Sequence, residues 1–166
     1  MTLNQTQMQG LRSVALTAAL LVAATAGSAA QELIDATDPG RIVKIAEGFG
    51  SAMLETDTQG DPKIVGRIDG IRYVVLFYGC KDKSECQTIQ FYAGWTNPDG
   101  KITHEEVNDW NRDNRFSKAY LDDEGDPAIE LDVSLERGVS QGNLDEWFDW
   151  WQTAIVSFEK EVINKG

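Results

Sequence analysis

Asn97, Asp99, Gly100, Ile102 and Glu106 lie in the stretch WTNPDGKITHEEVNDWN, from Trp95 to Asn111. They stand at the offsets an EF-hand loop uses for oxygen ligands, turn glycine, apolar residue and closing glutamate. Counting back from Gly100, however, the first ligand position falls on Trp95, whose side chain offers no oxygen to a hard cation. Glu106 also has a competing use. Thr103-His104-Glu105-Glu106 has the spacing of a capping box, with Thr103 capping a helix and Glu106 reaching back to its amide. The stretch therefore predicts a turn and a helix start, without a calcium site.

Three other groups could do chemistry. Asp122, Asp123, Glu124 and Asp126 crowd into YLDDEGDP, where a divalent ion could bind, but Asp and Gly are also what a hairpin turn requires. Cys80 and Cys86 flank KDKSE, a spacing that lacks the two-residue gap of redox motifs and the extra Cys or His ligands of zinc sites. An even pair in an exported chain reads as a disulfide, and closing so short a loop is worth roughly 2–2.5 kcal/mol. His104 is the single histidine and sits beside two glutamates in a helix's first turn, a solvated position with no nucleophile assigned to it. No glycine-rich phosphate loop is present. No catalytic residue, cofactor or metal ligand is assigned, and a non-enzymatic protein is expected.

The elements that must hold these residues begin after an unusual N-terminus. Residues 1–30 carry one charge, Arg12, followed by the apolar run VALTAALLVAATA and then GSAAQE. That layout is a secretory signal peptide, too short for a comfortable membrane span, with cleavage expected after Ala30. Residues 31–166 then form a single domain in the periplasm or outside the cell, with no stable membrane insertion. Losing Arg12 takes the formal charge from -12 to -13. So acidic a protein repels phosphate backbones and is not expected to bind nucleic acid.

Asp38-Pro39 opens a first helix as N-cap and first-turn proline, with Ile42, Ile45, Ala46 and Phe49 at helical spacing. Four strands follow, SAMLETD, KIVGRID, IRYVVLFYG and QTIQFYAGW, parted by turn residues. IRYVVLFYG is apolar on both faces, as a central strand would be. A second helix runs from Thr103 to about Arg112. FSKAYLD and AIELDVSL add two strands, the latter with Ile129, Leu131, Val133 and Leu135 inward and Glu130, Asp132 and Ser134 toward water. A terminal helix from Asn143 to about Ile163 carries the core stripe Leu144, Trp147, Phe148, Trp151, Ile155, Phe158 and Val162. Trp150 at the stripe's edge and Val156 off it are candidate partner-binding residues. The class is α+β, an antiparallel sheet covered on one face by helices, in the order α-β-β-β-β-α-β-β-α.

GCKDKSECQTIQFYAGW and VNDWNRDNRFSKAYLDDEGDPAIELDV resemble the YbjN family, labelled bacterial sensory transduction regulators. The match rests on the cysteine-flanked hairpin and on Asn108, Trp110, Asn111, Arg115 and Phe116. That family is in turn similar in fold to type III secretion chaperones, small acidic dimers that bind extended segments of other proteins. The resemblance implies a chaperone-like or regulatory module whose partner is another polypeptide, with homodimerisation, and it implies no catalytic residue. Physically, Trp110 and Phe116 are expected to bury apolar area while Asn108, Asn111 and Arg115 satisfy backbone groups; the alternative is that Asn111 and Arg115 line a groove. A periplasmic small-molecule or metal-binding sensor is the second reading and an uncharacterised hydrolase the third.

Overall fold

A computed structural model describes residues 32–165; the expected signal peptide lies outside the described residues. The chain runs α1 (Pro39–Ala46), β1 (Ser51–Thr56), β2 (Pro62–Ile68), β3 (Ile71–Tyr78), β4 (Thr88–Gly94), α2 (His104–Asp113), β5 (Lys118–Leu121), β6 (Pro127–Ser134) and α3 (Gln141–Phe158). A π-helical turn, Glu159–Ile163, prolongs α3. The order is the one expected from the sequence. Local chemistry accounts for the joints. The Asp38 side chain accepts from the Arg41 amide ahead of Pro39, and the Ser140 hydroxyl accepts from the Asn143 amide, which starts α3 two residues earlier than its apolar stripe suggests. Asp69 and Gly70 join β2 to β3 with φ of 51° and 88°, the left-handed pair of a tight hairpin.

The strands form one antiparallel sheet in the order β1-β2-β3-β4-β6-β5. Alternation places Ile64, Val75, Phe91 and Leu131 on the face that meets the helices. From α3, Leu144, Phe148, Trp151, Ile155 and Phe158 descend onto that face and are buried. Phe91 is the hub: its ring centroid lies 4.9 Å from Phe148 and 5.5 Å from Trp151. Tyr73 meets Trp151 edge-on at 6.4 Å, and burial pushes its phenol up to about 12. Aromatic packing of this kind adds about 0.5–1.5 kcal/mol per pair beyond the area it removes from water.

Three expectations need correction. β3 is central, but Val74 and Leu76 on its second face are only half-buried, because among the described residues no helix packs on that face. Trp147 belongs to the edge of the core, half-buried, with its ring edge-on to Trp150. Glu130 does not face water: it is 8% exposed, ion-paired with Lys118 and accepting from the Tyr120 hydroxyl at 3.2 Å. Those two flanking side chains lean across the carboxylate from β5, and burial together with its charge pushes Tyr120 up to about 12.

Candidate functional site

The residues at the end of α2 are placed by two local devices. At its start the capping box is complete: Glu106 N–H donates to the Thr103 hydroxyl at 3.3 Å, and Thr103 N–H donates to Glu106 Oε2 at 3.0 Å. That backbone donor holds the Glu106 carboxyl below its usual range, with the Thr103 hydroxyl and Lys165 assisting. At its end, Asn111 is the joint between helix and sheet. Its side chain accepts from Ala119 N–H at 2.9 Å and donates to Ala119 C=O at 2.8 Å. Ala119 belongs to β5, an outer strand of the sheet, so one amide side chain stands in for the neighbouring strand. Ala119 is 4% exposed, so losing Asn111 would leave a donor and an acceptor without partners out of water. Asn111→Ala is expected to cost about 1–3 kcal/mol in urea unfolding, with the loss falling first on hydrogen-exchange protection in β5.

Between Asn111 and Ala119 the chain turns sharply. Phe116 has φ of 68°, the left-handed region that bulky side chains rarely enter, at a cost of about 1–2 kcal/mol. Its ring stacks on Trp150 of α3 with centroids 4.1 Å apart and 14° between planes. Trp147 meets Trp150 edge-on at 4.8 Å, and the Arg115 guanidinium lies 4.5 Å from the Phe116 ring centre. The stack and the cation contact contribute about 0.5–1.5 and 0.5–1 kcal/mol. Those gains roughly offset the backbone strain, so the conformation adds little to stability. What it achieves is placement: an aromatic residue 43% exposed, stacked on α3 just beyond the end of α2. Beside it opens a groove of about 340 Å³, lined among others by Trp110, Asn114, Arg115, Phe116, Trp150 and Ser157.

The structure thus divides the residues singled out in the sequence. Trp110, Arg115, Phe116 and Trp150 come together at the groove. Phe116 is not buried as expected, because its left-handed backbone turns the ring outward onto Trp150. Asn111 has the backbone role. Asn108 has none: it is exposed on α2 and its side chain bonds to no described residue, since its helical position points away from the sheet. Val156 is exposed but lies about 120° around α3 from Trp150, away from the groove. Cys80 and Cys86 are bridged, with Cys86 in the core. Trp147, read as core, abuts Trp150 without lining the groove; its signal was its spacing of three from Trp150.

The oxygen-rich stretches hold their own backbone. Asp122 Oδ1 accepts from the amides of Glu124 and Asp126 at 3.0 and 2.9 Å, and Asp126 Oδ1 accepts from Asn97 N–H at 2.7 Å. Asn97 donates to the carbonyls of Ile102 and Gly125, stitching the two loops together. Trp95 follows a strand and its indole donates to Glu159 at 3.3 Å. Among the described residues, no three His, Cys, Asp or Glu side chains gather as a metal site would require.

No curated protein matches the chain. The model of the YbjN family, described as "Putative bacterial sensory transduction regulator", matches residues 38–164, from the N-cap of α1 to the end of the π-helical turn. With the cysteine-bridged hairpin, the Asn111 joint and the Phe116 turn all inside that span, the chain belongs to the YbjN family.

Proposed function

We propose that this is an exported, non-catalytic module that binds another polypeptide through the groove between α2 and α3, in a chaperone-like or regulatory role. The observation that carries the reading is the outward-held Phe116 on Trp150 at the groove's wall. Arg, Trp and other large aromatics dominate protein contacts because they bury much apolar area at modest entropic cost. The arrangement also favours a side-chain-bearing partner over a flat ligand. Phe116 covers one face of Trp150 and Trp147 abuts its ring, so a base or sugar ring finds little bare aromatic face to stack on. Apolar side chains of an extended segment fit the space between Trp110, Ala154 and Phe116, with Arg115 and Asp113 as a polar rim.

The test is affinity capture from periplasmic extract on the purified chain, with quantitative mass spectrometry. Phe116→Ala and Trp150→Ala are expected to lose the captured protein at least about tenfold. Val156→Ala, away from the groove, is expected to retain it. Equal recovery by wild type and both groove variants, each verified as folded by circular dichroism, would remove the groove from the function.

A further inference from the structure

The two outer strands of the sheet are treated differently. β5 is four residues long, carries Lys118, and has the outer backbone groups of Ala119 taken by Asn111. β1 has six residues, Ser51–Thr56, with neither lysine nor proline and an unbroken register to β2. Among the described residues no strand pairs with its outer edge. Met53 and Leu54 are 63% and 45% exposed there. Edges without lysine, proline or bulge are open to pairing with other chains, and the one charge in β1, Glu55, is ion-paired with Lys63 of β2.

The register determines which groups face outward. Asp57 N–H donates to Asp61 C=O at 2.8 Å, and Thr56 sits opposite Pro62, which has no N–H. Antiparallel ladders alternate, so residues 51, 53, 55 and 57 bond to β2 and the backbone groups of Ala52, Leu54 and Thr56 point away from it. That outward set is symmetric about Leu54.

We propose that two copies of this chain pair antiparallel along β1 about a two-fold axis at Leu54, joining their sheets into one. This surface is separate from the groove and does not depend on the function assigned to it. The pairing sets Leu54 against Leu54 of the second copy, Ala52 against Thr56, Met53 against Glu55 and Ser51 against Asp57. Leu54 lies opposite Ile64, a buried residue of the helix-covered face, so the two Leu54 side chains would bridge the two cores. Met53 would be covered by the aliphatic part of Glu55, whose charge is already held by Lys63 at 3.2 Å.

Charge favours a second copy as the occupant. Arg67 and Arg72 face each other on the open side of the sheet, both exposed, in the row that reaches the edge at Ser51. No described carboxylate forms an ion pair with either. Arg67 Nη1 donates to the Gly70 carbonyl at 2.9 Å and Asp57 Oδ1 accepts from the Gln59 and Asp61 amides, so the pairing would use the other guanidinium donors and Asp57 Oδ2. Beyond Ser51 the pairing puts Asp57 and then Asp61 of the second copy into that row. Two strand spacings, about 10 Å, separate the backbones of Arg67 and Asp57 of the second copy, with only a serine side chain between them. Arginine spans that distance, and the two-fold axis makes the contact twice. A single six-residue strand pair is expected to give a reversible dimer.

Sedimentation of the full chain over a concentration series is expected to show a monomer–dimer equilibrium. Leu54→Lys, which brings two like charges together at the axis, is expected to weaken it at least about tenfold, and Trp150→Ala to leave it unchanged. Leu54→Cys is expected to form a covalent dimer on mild oxidation, since directly paired residues have Cα atoms about 5.5 Å apart. Met53→Cys, offset diagonally from its own copy, is expected to cross-link far less. A chain that stays monomeric throughout, a dimer lost with Trp150 instead of Leu54, or equal cross-linking at both positions would each overturn the pairing. The cross-linking comparison stands even if the lysine variant does not fold.

Discussion

Trp151→Ala is expected to lower the free energy of unfolding by about 3–5 kcal/mol, read as a drop in the urea midpoint. Trp151 is fully buried and packs between Tyr73 and Phe91, so truncation removes contacts on both sides and leaves a cavity the sheet cannot close. A domain of this size has about 5–15 kcal/mol to lose, so the variant would sit near the edge of folding at body temperature. The same residue contains an opposing effect. Its indole N–H is buried without a partner among the described residues, and such a group costs about 1–3 kcal/mol. Trp151→Phe removes that donor while keeping most of the ring. It is therefore expected to cost less than half as much as the alanine variant. An alanine variant within about 1 kcal/mol of wild type would mean that Trp151 is not the centre of this core.

Most of the fold could be read from one sequence because, among the described residues, the sheet has a single covered face. One covered face forces apolar residues into period two on strands and into one stripe on helices, and both periods survive in the letters. QTIQFYAGW is the clear case: Ile89, Phe91 and Ala93 are all buried and their neighbours are not. Caps are equally legible because they act over three residues, as with Thr103 and Glu106. Strand order could not be read this way. β6 inserts between β4 and β5, and nothing local to either strand records that choice. Glu130 shows the same limit from another side: its alternation said water, and only Lys118 and Tyr120 on the next strand make it a buried carboxylate.

The groove was legible in composition and not in geometry. Arg115, Phe116 and Trp150 could each be singled out as large or charged groups of the kind interfaces use. Their meeting depends on one positive φ at Phe116, and no residue type announces a left-handed phenylalanine. Trp147 was misplaced for a related reason. Helical projection ranks positions by angle alone and does not show that Trp147 meets Trp150 edge-on at the border of the core.

Gly66→Val is expected to cost about 3 kcal/mol by the opposite mechanism, overpacking. Gly66 lies opposite Tyr73 across β2 and β3, and the tyrosine ring crosses above it. A Cβ there would stand 2.5 Å from Tyr73 Cε1 and 2.6 Å from Cζ, closer than real contacts permit. The ring cannot swing aside cheaply, since Tyr73 is 1% exposed and lies edge-on to Trp151. The glycine is thus required by a side chain seven positions away. If the clash is the cause, shrinking the ring should relieve it. Tyr73→Leu alone is expected to destabilise, through the volume it removes, but in the double variant the branched side chain refills part of that space. The two changes should therefore fall short of additivity by about 1–3 kcal/mol in a double-mutant cycle from urea unfolding. Strict additivity would place the cost of valine in the β2 backbone and not against Tyr73.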